Sequence, residues 1–136
     1  MFLYSLEPAP DPQPATALTA RGAKLFERGC TECHSNAGYG GALVSAETVG
    51  TDSALANGAA RGTGRYRPPA LVRVRDNAPY LHHGAVPTLE DLLAPERLSA
   101  DYRGSPLGPG AVKGHAYGTD WPQEDRAAVI AWMRTL

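Results

Sequence analysis

Five consecutive residues, Cys30-Thr31-Glu32-Cys33-His34, have the types and spacing for a defined chemistry. They contain both cysteines of a 136-residue chain, and a histidine follows the second directly. C-x-x-C-H is the attachment sequence for c-type haem. The spacing follows from the chemistry. Two thiols add across the two vinyl groups of one porphyrin edge and become thioethers. Two intervening residues let one helical turn present both sulfurs to that edge. The next residue then sets its imidazole under the ring, where a nitrogen binds iron. Cys30, Cys33 and His34 are therefore the expected anchors of one covalent haem c, with His34 the proximal iron ligand.

Other chemistries also use paired cysteines. A thioredoxin-like dithiol sits in a strand–turn–helix context, whereas here the motif follows an amphipathic helical segment. A structural zinc site needs about four ligands. The chain has two cysteines and four histidines but no second C-x-x-C and no H-x-x-x-H. A disulfide between Cys30 and Cys33 would close a very small loop and stabilise little.

The elements that must position the motif are legible on both sides of the chain. Residues 16 to 28 read as a helix with Thr19 as a cap and Gly22, Leu25 and Phe26 on its apolar face. Gly29 ends the run just before Cys30. Small Gly22 and bulky Phe26, one turn apart, predict close crossing by a second helix. Residues 122 to 136 supply one, with Val129, Trp132, Met133 and Leu136 on a stripe and Glu124, Asp125, Arg126 and Arg134 largely off it. Pro122 suits its start, and the early acidic residues suit the positive end of its dipole. A third helix is expected over 88 to 98, capped by Thr88, with Leu89, Leu92 and Leu93 inward and Pro95 ending it or beginning a new turn. Residues 38 to 67 and 99 to 120 show no strand alternation and read as long loops against the haem. This frame resembles the class I cytochromes c, which implies an all-α, cytochrome c-like fold of few helices and long loops around one covalent haem.

Composition agrees with one small domain preceded by a tail. Fifteen glycines and twelve prolines in 136 residues demand much loop. A formal net charge of −1 provides no field for nucleic acid or an acidic membrane, and no apolar run is long enough to span a bilayer. Residues 1–15 read as a proline-rich leader or linker, with Pro-Ala-Pro-Asp-Pro-Gln-Pro at 8 to 14, and 16–136 as the haem domain. The strip is either a leader or a tether to an upstream haem domain, whose last turn would be Phe2 to Leu6. No export signal is visible. Covalent haem attachment nonetheless takes place outside the bacterial cytoplasm, so a periplasmic or exported location is expected.

Two stretches narrow the resemblance. Tyr66-Arg-Pro-Pro-Ala-Leu71, followed by Ala78-Pro-Tyr-Leu-His-His-Gly-Ala-Val-Pro-Thr-Leu-Glu-Asp-Leu-Leu93, resembles the C-terminal haem domain of the dihaem cytochrome c peroxidase superfamily. Gly114-His-Ala-Tyr-Gly-Thr-Asp120 resembles the branch that includes rubber oxygenases. The departures also matter. Those proteins carry two C-x-x-C-H motifs and this chain has one. A methionine ligand often follows their T-L-E-E helix, and residues 92 to 98 contain none. The arginine of their P-S-L-R pattern is Val72 here.

The resemblance implies that His115, the histidine of G-H-x-Y-G-T-D, is the second axial ligand. His82 and His83, Met133, Met1 and an open site remain alternatives. It also implies a pocket wall of Tyr66, Pro69, Leu71, Val74, Tyr80, Leu81, Leu89 and Leu93, with His82 a packing or hydrogen-bonding residue near the haem. By analogy with class I cytochromes, a carbonyl of the Pro68-Pro69 turn is expected to accept from His34. Arg61, Arg65, Arg67, Arg73 and Arg75 form a local basic run, read as propionate partners, as a docking rim for an acidic redox partner or as a solvated loop; one or two of them, Arg73 included, are expected to meet propionates and the rest to face solvent. The expected function is single-electron transfer to a redox partner protein, without catalysis. The alternative is the electron-delivery domain of a larger dihaem peroxidase or oxygenase.

Overall fold

The computed structural model describes residues 14–136. The leader or linker expected over 1–15 falls almost wholly outside them, as do Met1 and the turn at Phe2 to Leu6.

Helix α1 spans Ala17–Gly29 and is capped by Thr16, not by Thr19. Thr16 lies in extended backbone, and its hydroxyl accepts from the Thr19 N–H at 3.1 Å. The Thr19 hydroxyl in turn accepts from the Thr16 N–H at 2.8 Å. Thr19 is thus the inner half of a capping box, satisfying an N–H that has no helical partner.

Helix α5 spans Gln123–Met133 and crosses α1 where small residues were expected. A Cβ on Gly22 would stand 2.0 Å from the Ala128 carbonyl oxygen and 2.8 Å from Trp132 Cβ. One turn further, the rings of Phe26 and Trp132 lie 4.5 Å apart. Arg21 of α1 pairs with Asp125 of α5 at the rim. α5 ends at Met133 rather than continuing to 136. Its exposed carbonyl end is taken up by the segment after Leu71: Arg75 Nη1 donates to the Arg134 carbonyl at 2.9 Å, and the Arg73 N–H donates to that of Leu136 at 2.7 Å.

The third helix is divided. Thr88 caps it as expected, through the Asp91 N–H at 3.0 Å, but α4 covers only Leu89–Leu93. Ala94 leaves the helix at ψ 126° because Pro95 disfavours helical backbone in the residue before it. Pro95–Leu98 then forms a separate 3-10 turn.

The loop over 38 to 67 is more ordered than its sequence suggests. It contains α2 (Ala46–Val49), α3 (Ala54–Asn57) and an antiparallel ladder of β1 (Val44–Ser45) on β2 (Arg65–Tyr66). The architecture is therefore five short helices with a two-stranded sheet, and the all-α expectation is only roughly right. Strands of two residues are too short to show alternation.

Two apolar clusters result. The larger joins α1, α4 and α5 through Phe26, Leu89, Leu93, Val129 and Met133. The smaller is Ala46, Ala56 and Tyr66. Met133 is 5% exposed within the larger cluster and behaves as core.

Candidate functional site

The pentapeptide continues α1 as a single hydrogen-bonded turn. The Cys30 N–H donates to the Phe26 carbonyl at 2.8 Å, and the Cys33 and His34 N–H groups both donate to the Cys30 carbonyl, at 3.2 and 3.0 Å. Gly41 makes the turn possible: a Cβ there would lie 1.8 Å from the Cys33 carbonyl oxygen. Both thiols are free. Burial, then the neighbouring Cys33, pushes the Cys30 thiol up to about 11. A redox dithiol needs the reverse, a thiol whose pKa is lowered to make thiolate. Among the described residues no three His, Cys, Asp or Glu side chains converge on one point.

His34 is buried at 8% exposure. Its Nδ1 lies 2.6 Å from the Tyr39 carbonyl oxygen and donates to it. This corrects the expectation of a partner in the Pro68-Pro69 turn. The Pro68 carbonyl instead accepts from the Gly41 N–H at 3.3 Å. Tyr39 has φ 60°, a left-handed conformation that aims its carbonyl at the ring. With Nδ1 protonated, Nε2 carries the lone pair a metal requires, and the carbonyl fixes the tautomer and the ring orientation.

The ring facing His34 is that of His115, with centres 6.4 Å apart and planes inclined at 69°. Two imidazoles on opposite sides of one metal, each bonded at about 2.0–2.1 Å, have centres roughly 6–6.5 Å apart. His115 Nδ1 is buried and has no hydrogen-bond partner among the described residues. Burial, then His34 and Arg97, lowers the His115 pKa to about 4, so the imidazole is neutral at neutral pH. A neutral imidazole is the metal-binding form.

The backbone of His115 is held from both sides. Its N–H donates to the Val49 carbonyl at 2.9 Å, and its own carbonyl accepts from Arg97 Nη2. Arg97 is completely buried, and its other acceptors are the carbonyls of Leu92, Val112 and Gly114, at 2.9, 2.7 and 2.8 Å. Gly114 has φ 98°, and a Cβ on it would meet Thr51 Cβ at 2.6 Å. His115 itself sits at φ 49°, left-handed and unusual for a residue with a side chain.

The expected wall residues divide. Tyr66, Leu71, Val74, Tyr80, Leu89 and Leu93 are buried, Leu81 is partly buried, and Pro69 is exposed. The Tyr80 hydroxyl donates to the Val74 carbonyl at 3.0 Å. The Tyr66 hydroxyl donates to the Asp52 carbonyl at 2.9 Å, and its ring lies 4.4 Å from that of exposed His82. His82 is 4.5 Å from His83, and partial burial, then His83, lowers the His82 pKa.

The arginines do not gather at one place. Arg73 Nε bonds Asp76 at 2.8 Å, Arg67 donates to the Gly41 carbonyl and Arg65 to that of Leu43. Arg75 serves the end of α5, and Arg61 stands over the Tyr66 ring at 5.4 Å. Sequence reasoning missed Tyr39, Gly41 and Arg97. Arg97 has no local signal, because an arginine after Pro-Glu reads as surface. Gly41 is one of a Gly-Gly pair, and only the fold reveals which member is tight.

The donor set fits a haem: two thiols on one turn, and two imidazoles at a shared-metal separation, one oriented by a carbonyl and one with an unpartnered nitrogen. Residues 64–103 match the family described as RoxA-like, cytochrome c-like. That is under a third of the chain. It includes Tyr66, Pro69, Leu71, Arg73, Tyr80 and His82 but neither the C-x-x-C-H turn nor His115. No curated protein and no solved structure matches the chain. The family match bears out the resemblance read from the tyrosine–proline and A-P-Y-L-H-H-G stretches. It indicates a cytochrome c-like domain and with it haem c and redox partners. Such domains are typically exported. No helix among the described residues is long and apolar enough to cross a membrane.

Proposed function

We propose that this chain is a monohaem c-type cytochrome that carries single electrons, with haem c attached through Cys30 and Cys33 and its iron held between His34 and His115. The 6.4 Å separation of the two imidazoles carries this reading. The haem supplies a one-electron ferrous–ferric couple, and the protein supplies ligation, burial and orientation.

The roles of the chain's own residues follow. The α1 turn presents both thiols, and Tyr39 keeps His34 in the tautomer that leaves Nε2 free. Arg97 and the Val49 carbonyl pin the left-handed His115. An iron with two protein imidazoles has no open position for a small ligand, which suits a carrier better than a peroxide or oxygen activator. Bis-histidine ligation also implies a lower potential than methionine ligation.

The test is spectroscopic. The purified protein is expected to hold haem through acid–acetone extraction and to be six-coordinate and low-spin, with a ferrous spectrum unmoved by carbon monoxide. His115→Ala should become high-spin and bind carbon monoxide. A His115→Ala protein that kept the parent spectrum would remove His115 from the iron.

The RoxA-like match favours a second reading, the electron-delivery domain of a larger dihaem peroxidase or oxygenase. A further C-x-x-C-H encoded upstream of Met1 would select it. A secretion signal there with no second C-x-x-C-H behind it would select the free carrier.

A further inference from the structure

A cleft of about 490 Å³ opens beside the His115 loop. Its wall joins three stretches distant in sequence: Thr51 with Asp52, His83 with Ala85, and the segment from Ser105 to Lys113. It adjoins the candidate iron site through Gly114, which packs against Thr51 one residue before His115.

The wall carries one buried hydroxyl in want of a partner, beside an imidazole and a lysine. Thr51 Oγ1 is buried without a hydrogen-bond partner among the described residues. His83 Nδ1 accepts from the Ala85 N–H at 3.2 Å, so its Nε2 carries the proton and donates. Lys113, an exposed residue of the same wall, is the only lysine or arginine on it. Asp52 is the one carboxylate on the wall, and its Oδ1 is turned to the Ala54 N–H at 2.9 Å. The Ser105 hydroxyl accepts from the Leu107 N–H at 3.1 Å. A hydroxyl, a ring N–H and an ammonium around one cavity suit carboxylate groups. Meanwhile Arg65, Arg67 and Arg73, read from the sequence as candidate partners of such groups, are bonded to Leu43, Gly41 and Asp76.

We propose that the cleft receives the propionate carboxylates of the haem, held by Thr51, His83 and Lys113 rather than by the arginines of residues 61 to 75. The proposal rests on the haem reading above and adds the residues that hold the end of the ring remote from the thioethers. A cation at this edge favours the ferrous state, because reduction adds a negative charge beside it.

The experiment uses the holoprotein. Resonance Raman spectra report the propionate-bending band, and redox titration reports the potential. Thr51→Val and Lys113→Gln should each shift the band, and Lys113→Gln should lower the potential, while all remain low-spin. Thr51→Ser should keep the parent band, because the hydroxyl is retained. Arg73→Gln should leave both readings unchanged, and added acetate should move neither. The proposal is overturned if Thr51→Val and Lys113→Gln match the parent band. It is also overturned if Arg73→Gln moves the band, or if acetate does, since the cleft would then be a site for external carboxylates. A parent protein without haem, or without a low-spin spectrum, would sink the preceding reading itself.

Discussion

The guanidinium of Arg97 donates to the backbone carbonyl of His115, and it does so from complete burial. Its remaining acceptors are three more carbonyls, those of Leu92, Val112 and Gly114. A charged side chain thereby serves as a backbone clamp, joining the end of α4 to the loop that carries His115. The arrangement satisfies carbonyls that a glycine-rich loop has no regular structure to satisfy.

Arg97→Met should therefore be costly. A buried acceptor left unsatisfied costs about 1–3 kcal/mol, so losing several carbonyl partners should lower stability by roughly 3 kcal/mol or more. Arg97→Lys should recover only part, because a compact ammonium cannot span acceptors arranged for a planar fork. Urea unfolding measures both. The same variants should show a mixed-spin haem, as His115 loses its fixed position. An Arg97→Met protein of parental stability would show that the clamp contributes nothing.

Neighbouring glycines offer a sharper contrast. A Cβ on Gly41 would lie 1.8 Å from the Cys33 carbonyl oxygen, whereas one on Gly40 would find nothing nearer than 3.5 Å. Gly41→Ala should disturb the C-x-x-C-H turn, cost at least the ~1–3 kcal/mol of an overpacked site, and reduce the yield of covalently attached haem. Gly40→Ala should be near neutral in both. Haem content per polypeptide and thermal unfolding distinguish them, and equal yields from the two variants would contradict the close approach.

The identity of the distal ligand should set the potential. His115→Met replaces an imidazole with a thioether and should raise it. His115→Gly removes the donor and relieves the left-handed backbone at φ 49°. That variant should become high-spin and regain a low-spin spectrum when imidazole is added. Potentiometric titration and absorption spectra read these outcomes. A His115→Met protein with the parent potential would argue that iron never met this residue.

Much of the frame was legible because it is written locally. The apolar stripe of α5 and the Thr88 cap are patterns within a turn or two, and small Gly22 one turn before Phe26 marks on α1 the place where α5 crosses. Failures occurred where a nearby rule was displaced. Thr19 looks like a cap, but the extended residue that starts the helix is Thr16, three positions earlier. The third helix looked continuous through 98, yet Pro95 forces Ala94 out of helical backbone. The ladder of Val44 on Tyr66 was invisible, since two-residue strands carry no period.

The sequence by itself determined that two thiols and an imidazole stand within five residues, the spacing that covalent attachment of a haem would use. It also singled out His115 through a resemblance. Only the tertiary structure decided that the His115 ring stands 6.4 Å from that of His34, and that Tyr39 rather than a proline offers the carbonyl to His34. It alone revealed Arg97 at the centre of the His115 loop. These relations join residues far apart in the chain or bent through left-handed backbone. They depend on how irregular loops satisfy their polar groups in three dimensions, which no local pattern records.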